Sequence, residues 1–326
     1  MRETYIKDFE KGDLVTEFFL VTESSSIKET KTGKQFGTLK VCDKTKEIEC
    51  KCWEEILNLI GKDLFESLEP GNIVKIKGTV DEYNDNLQII LEQLRLVNEN
   101  DRFDESDLYR TAPMDTNKIY NEIINIINKE ISDIEYKNIC ITLYTAHKEK
   151  LLIWPAAKSR HHAYKGGLLW HTYRMLQLAL KITEIYNTVD KSLLLAGVIL
   201  HDIGKISELS FNNNVPEYSF EGNMLGHLLI GTIMINNIAK KINMPKEKKI
   251  LLEHMIASHH GNLDWGAIQK PGFLEAYVLH YIDMIDSRIE TIDDISNNMI
   301  PGEFYFNKEY SAKDKETIYK PIYMNE

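Results

Sequence analysis

Ala196-Gly197-Val198-Ile199-Leu200-His201-Asp202-Ile203-Gly204-Lys205 is the stretch on which the reading of this chain turns. The apolar run from Ser192 to Leu200 is too short for the ~20 residues of a membrane span and reads as a buried helix. A histidine and an aspartate then stand side by side where that helix meets polar sequence. Burying both is costly unless something compensates them, and a metal ion does so. Working outward, His171 lies upstream, and His227, His259, His260 and Asp283 lie downstream, each within or beside a helical apolar pattern. Imidazole plus carboxylate without cysteine is the ligand set of Mn, Fe, Zn or Mg hydrolytic centres.

These residues can be grouped into two sites. His171, His201, Asp202 and Asp283 supply one N,N,O,O site, and His227, His259 and His260 a second, with Asp202 bridging. Adjacent histidines on a regular helix point ~100° apart. His259 and His260 therefore reach one ion only if the helix ends there, and Gly261 is the residue expected at such an end. His254 falls off that face, and whether it or His280 is a ligand stays open. Lys205 follows Asp202 by three residues, so on a continuing helix the ammonium and the carboxylate share a face, where the lysine can bind a phosphate oxygen.

The bulk composition limits the rest. At 326 residues, 43% hydrophobic and 27% charged, the chain has room for two globular domains. Residues Met1 to Glu10 lack the apolar core of a signal peptide, and no apolar run is long enough to span a membrane. The four cysteines show no metal-finger spacing and read as reduced packing residues of a cytoplasmic protein. A net charge of −11 argues against a surface coated for nucleic acid. It leaves room for a local basic groove, since Ser24 to Trp53 carries seven lysines against four acids.

That lysine-rich stretch lies in a β-patterned region. Strands are expected at Phe18–Val21, Phe36–Val41, Ile48–Trp53, Val74–Val80 and Leu87–Leu96, with a helix from Ile56 to Leu68 between the third and fourth. Three strands, a helix and two strands is the order of an OB-fold, a five-stranded barrel that often binds single strands. Phe36 and Trp53, beside Lys28, Lys34 and Lys40, are the candidates for base stacking and backbone contact, unless the two rings fill the barrel core instead. The expected architecture is multidomain α and β. An OB-fold domain over 1–98 is followed by an acidic linker over 99–115, an all-α domain over 116–300 and an aromatic tail over 301–326. The exposed helical surface and the tail permit a homo-oligomer.

The order H…HD…D on successive helices resembles the HD-domain phosphohydrolases. His161-His162-Ala163-Tyr164-Lys165-Gly166-Gly167-Leu168-Leu169, the HDIGK stretch, Glu221-Gly222-Asn223-Met224-Leu225-Gly226-His227 and His254-Met255-Ile256-Ala257-Ser258-His259-His260-Gly261 closely resemble the YhaM-type 3′→5′ exoribonucleases. That resemblance covers nearly the whole chain and implies an OB-fold ahead of an HD domain. It also implies a divalent cofactor of the Mn²⁺ type (Fe, Co, Zn or Mg being alternatives), and the two ligand groups read above make two ions the expectation. The implied substrate is single-stranded RNA, with single-stranded DNA as a second, and the products are nucleoside monophosphates. Asp202 then anchors the metal and Lys205 steadies the phosphate. His161 and His162, next to Arg160 and Lys165, bind substrate phosphates or protonate the leaving oxygen. Two other readings stay open: an HD phosphohydrolase of small nucleotides (dNTPs or cyclic dinucleotides), and a non-catalytic nucleic-acid-binding regulator.

Overall fold

Alternation along Gln35–Cys42 buries Gly37, Leu39 and Val41 and turns Phe36, Thr38 and Lys40 outward, the two-residue period of a strand that covers a core on one side. A computed structural model describes residues 2, 4–30, 32–84, 86–157, 164–212, 215–297, 299–307 and 316–325. Chain contacts divide it into two compact units, Met1–Thr111 with Ser210–Glu217, and Ala112–Leu209 with Tyr218–Glu326. No helix among the described residues is long and apolar enough to cross a membrane.

The first unit is a closed barrel of β1 (Leu14–Glu29), β2 (Gln35–Cys42), β3 (Glu47–Trp53), β4 (Ile73–Tyr83) and β5 (Asn86–Leu96), in the order β1-β2-β3-β5-β4. Every pairing is antiparallel except β3 with β5. This is the expected OB-fold. Closure removes the free edges that an open sheet would expose. Phe19, Val21, Leu39, Val41, Cys50, Cys52, Val74, Ile76 and Ile89 fill the interior. Between β3 and β4 the expected single helix is two short ones, α1 (Glu54–Ile60) and α2 (Lys62–Glu66). Gly61 separates them at φ 93, a conformation that suits glycine and ends α1. Leu57 and Phe65 still reach the barrel core.

The polar stretch after β5 is held to the barrel. Arg95 donates both guanidinium nitrogens to Asp101 at 2.6 Å. Phe103 stacks on Phe18 with ring centroids 4.9 Å apart, and Leu108 is buried. Two apolar anchors among the acids account for a course that the charge pattern alone presents as a linker.

The second unit is helical: α3 (Thr116–Glu130), α4 (Ile134–Ala146), α5 (Lys148–Leu151), α6 (Gly167–Ile185), α7 (Lys191–Leu200), α8 (Lys205–Glu208), then α9 (Phe220–Lys241), α10 (Lys246–Ser258) and α11 (Leu274–Asn297). Helix α7 is buried at every position from Ser192 to Leu200 and packs against α4, α6, α10 and α11. An all-round apolar helix belongs in such a centre. Asp190 caps its start by accepting from the Leu193 amide. Between α8 and α9, β6 (Leu209–Asn212) and β7 (Val215–Tyr218) form a two-stranded sheet that the apolar pattern does not announce. In the aromatic tail, β8 (Phe304–Asn307) pairs with β9 (Glu316–Tyr319).

Candidate metal centre and barrel face

His201 and Asp202 follow the last residue of the central helix α7, so their backbone is fixed by the most buried element of the domain. His171 comes from the start of α6, His227 from α9, His259 and His260 from the end of α10, and Asp283 from the middle of α11. The helix α10 does end where the paired histidines require it. Gly261 takes φ 76 and donates its amide to Ser258, and the two rings lie 4.6 Å apart, edge to face.

These side chains converge in two groups around Asp202. On one side His171 Nε2 lies 3.1 Å from His201 Nε2 and 3.3 Å from Asp283 Oδ1, while His201 Nε2 lies 3.3 Å from Asp202 Oδ2. On the other, Asp202 Oδ1 lies 3.5 Å from His227 Nε2 and 3.6 Å from His259 Nε2, and His227 Nε2 lies 3.3 Å from His260 Nε2. Among the described residues, three sets of possible ligand atoms gather within metal-binding reach: His171, His201 and Asp283; His201, Asp202 and His259; and His227, His259 and His260.

The second ring nitrogens explain the orientation. His201 Nδ1 meets Val198 O at 2.8 Å, His259 Nδ1 meets Ile256 O at 2.9 Å and His260 Nδ1 meets Trp265 O at 3.1 Å. A carbonyl only accepts, so Nδ1 carries the proton and Nε2 presents a lone pair to the centre. His171 Nδ1 faces Asp286 Oδ2 at 2.7 Å, and His227 Nδ1 faces Glu208 Oε1 at 2.9 Å. This is how metal-ligating histidines are commonly held. Among the described residues Asp202 Oδ1 is buried with no hydrogen-bond partner. An orphaned carboxylate oxygen facing inward lone pairs fits a cation, and the residues present therefore suit a divalent metal.

The charges agree. Burial opposes ionisation of Asp202, but Lys205 and the neighbouring histidines hold its carboxyl well below the usual range. Burial likewise opposes a charged Lys205, yet Asp202, with Nζ 2.7 Å from Oδ2, raises its pKa. Burial works against a charged His171, and hydrogen bonds and charge from Asp283 and Asp286 outweigh it, pushing its pKa up to about 9. Burial, followed by the charges of His259 and His227, pushes His260 down to about 3.

Of the residues expected from sequence, His171, His201, Asp202, Lys205, His227, His259, His260 and Asp283 all stand in this cluster. His161 and His162 lie outside the described residues. His254 Nε2 accepts the Gly272 amide, and His280 Nδ1 meets His259 O, so those two nitrogens are engaged with backbone. Sequence reasoning passed over Asp286, Glu208, Arg174 and Glu290. Arg174 binds Asp286 at 2.7 Å and Glu290 at 2.6 Å, which anchors the carboxylate behind His171. Their signal was present: Asp283, Asp286 and Glu290 recur at steps of three and four on α11, one helical face of acids. Glu208 had no comparable signature.

On the barrel, Phe36 and Trp53 are register partners on the outer face of β2 and β3, with ring centroids 5.8 Å apart. Trp53 is 48% exposed, so it does not fill the core. Lys28 pairs in register with Phe36, and both Lys28 and Lys34 are exposed. Lys40 is different, since it is bound to Glu23 at 2.9 Å and Glu47 at 3.0 Å, which offsets its charge. Lys51 and Lys44 are likewise paired, with Glu49 and Asp107. The free basic charge of this face is therefore smaller than the sequence count implies.

Residues 168–295 match the HD domain family, and residues 21–97 match the OB-fold nucleic acid binding domain family. The fold and the cluster thus define a class: an OB-fold nucleic-acid-binding domain on one chain with a metal-dependent HD phosphohydrolase domain. Among solved structures, the barrel is similar to a domain of replication protein A from Methanococcus maripaludis. That match has 20% identity over 29% of this chain and 93% of that one, with a TM-score of 0.24. It is also similar to a single-stranded DNA-binding domain from Synechococcus sp., at 8% identity over 26% and 94% of the two chains, with a TM-score of 0.22. Both likenesses are too slight to carry a functional argument.

Proposed function

We propose that this chain is a metal-dependent 3′→5′ exonuclease that hydrolyses single-stranded RNA, and single-stranded DNA as a second substrate, to nucleoside monophosphates. The observation that carries the hydrolytic part is Asp202, whose two oxygens face two separate groups of imidazole nitrogens, one oxygen being buried without a partner among the described residues. The direction and the preference for RNA rest on the resemblance of the motif words around it to the YhaM-type enzymes. His171, His201, Asp202 and Asp283 would hold one ion, and Asp202, His227, His259 and His260 a second, with Mn²⁺ the expected metal. A divalent ion there supplies Lewis acidity to a phosphoryl group and lowers the pKa of water.

The chain's own residues do the rest. Lys205, fixed by Asp202 at 2.7 Å, offers an ammonium to a non-bridging phosphate oxygen. Asp286 and Glu208 keep the His171 and His227 rings turned toward the centre. His161 and His162 are proposed to bind phosphate or to protonate the leaving oxygen. The exposed Trp53 beside Phe36 offers stacking area to bases, with Lys28 and Lys34 for the backbone, a mode with little sequence preference.

The test is a 5′-labelled single-stranded RNA incubated with the purified chain and Mn²⁺, with EDTA and Asp202→Ala as controls. A ladder shortening from the 3′ end and lost in both controls is expected. RNA that stays intact while dNTPs or cyclic dinucleotides are consumed would overturn the exonuclease reading in favour of a small-nucleotide phosphohydrolase.

A further inference from the structure

We propose that Glu208 is a positioning residue on which the affinity of the His227-side metal site depends, that site being the weaker, exchangeable one of the two; this rests on the metal reading above. The argument begins with a break in α9. Gly226 takes φ 68 and ψ 158 inside that helix, so the helix starts afresh at His227. The first amides of a helix lack intrahelical acceptors. Glu208 Oε1 accepts the His227 amide at 3.0 Å and also faces His227 Nδ1 at 2.9 Å. One carboxylate therefore fixes both where the helix restarts and where its first ring points.

The other ligands are held differently. His201, His259 and His260 are oriented by backbone carbonyls of Val198, Ile256 and Trp265. His171 is oriented by Asp286, which Arg174 clamps in turn. Glu208 is placed by its backbone, whose carbonyl accepts the Ser219 amide at 2.9 Å and lies so close to Gly222 that a Cβ there would overlap it. Its carboxylate has no ion pair among the described residues besides that with His227. Of the two rings backed by a carboxylate, His227 is the more exposed, 14% against 2% for His171. A ring next to a helix break, held by one carboxylate and open to water, gives up its ion more readily than one clamped in the interior.

The experiment is a Mn²⁺ titration of the full chain, followed by electron paramagnetic resonance of free and spin-coupled Mn²⁺ and by metal analysis after desalting. Wild type, Glu208→Gln and Glu208→Ala are compared, with circular dichroism as the check on folding. Wild type is expected to bind two ions with unequal affinity. The variants are expected to keep the tighter ion, to bind the second about 10–100-fold more weakly and to lose the spin-coupled signal. Two ions bound by Glu208→Gln with wild-type affinities would overturn the role of Glu208 and leave the metal reading intact. A wild type that binds one ion overturns the second site, and one that binds none overturns the metal reading itself. Should Glu208→Ala not fold, the isosteric Glu208→Gln carries the test. If that variant also unfolds, Glu208 is a determinant of the fold and the proposal is overturned.

Discussion

Adding and removing Mn²⁺ should move the thermal unfolding of the helical unit by an amount that counts the sites. A ligand that binds only the folded state stabilises it by about 2.7 kcal/mol at a concentration one hundred times its Kd. Two sites sharing Asp202 then contribute about 5 kcal/mol together under that condition. For a unit of this size, about 2–4 °C accompanies each kcal/mol, so the melt should rise by about 10–20 °C between EDTA and saturating Mn²⁺. Asp283→Ala removes a ligand atom from one group only and should keep about half of that shift. Asp202→Ala removes the one residue common to both groups and should abolish it. Because that variant also leaves Lys205 buried without its counter-charge, its own melt in EDTA should fall by the equivalent of about 3–5 kcal/mol and is the baseline for its response. The assay is circular dichroism at the helix wavelength for each variant in EDTA and in Mn²⁺. A wild-type melt that Mn²⁺ leaves unmoved, or an Asp202→Ala shift as large as wild type, would refute the assignment of these side chains.

Three other outcomes are expected. A Cβ on Gly204 would overlap the His227 carbonyl oxygen and crowd the Gly231 amide, so Gly204→Ala should cost about 1–3 kcal/mol or more and weaken Mn²⁺ binding; a wild-type melt for that variant would contradict the packing. Phe36→Ala and Trp53→Ala should each weaken binding of a labelled single strand by about 1–3 kcal/mol in fluorescence anisotropy, with Lys40→Ala mattering less because Glu23 and Glu47 already engage it. Equal losses for Lys40 and Trp53 would argue against that face. In EDTA, stability should be greatest near pH 6.5 and fall on both sides, as urea midpoints across the pH range can check. His171, raised from 6.5 to about 9, contributes stability present below 6.5 and lost as pH rises through 9. His260, lowered from 6.5 to about 3, makes the unfolded chain take up the extra proton, so stability is lost as pH falls from 6.5 toward 3. Asp286→Asn should flatten the alkaline limb, and an unchanged limb would assign it elsewhere.

The parts of this chain legible in its sequence are those where one local pattern fixes one structure. Two-residue alternation in Gln35–Cys42 and Glu47–Trp53 dictated both the strands and their inward faces. The unbroken apolar run before His201 dictated a central helix, and Gly261 marked the end that lets His259 and His260 face one centre. What escaped depends on contacts between distant segments. Nothing in the acidic stretch after Leu96 says that Phe103 will stack on Phe18 or that Asp101 will meet Arg95. The count of lysines in the barrel could not say that Glu23 and Glu47 reach Lys40. The break in α9 is a glycine that the helical period runs straight through, so Glu208, which acts only because of that break, had no pattern to betray it.

The electrostatics of the centre give one reason to expect cations there independent of any family. His171 and His201 bring their Nε2 atoms to 3.1 Å, and Val198 O commits the proton of His201 to Nδ1. Two bare lone pairs at that distance repel, so something positive must lie between or beside them. In the metal-free chain a proton meets that demand: Asp283 and Asp286 outweigh burial and keep His171 charged to about pH 9. A proton has one place to sit and satisfies one side of the cluster. Asp202 Oδ1 on the other side stays buried without a donor among the described residues, while burial and the neighbouring rings hold His260 in the neutral form that ligation requires. The same carboxylates that draw one proton to His171 would also attract a divalent ion, and Oδ1 is placed to receive a cation. A charged imidazole on one face of Asp202 and, among the described residues, an unpaired oxygen on the other thus both favour a cation at this centre.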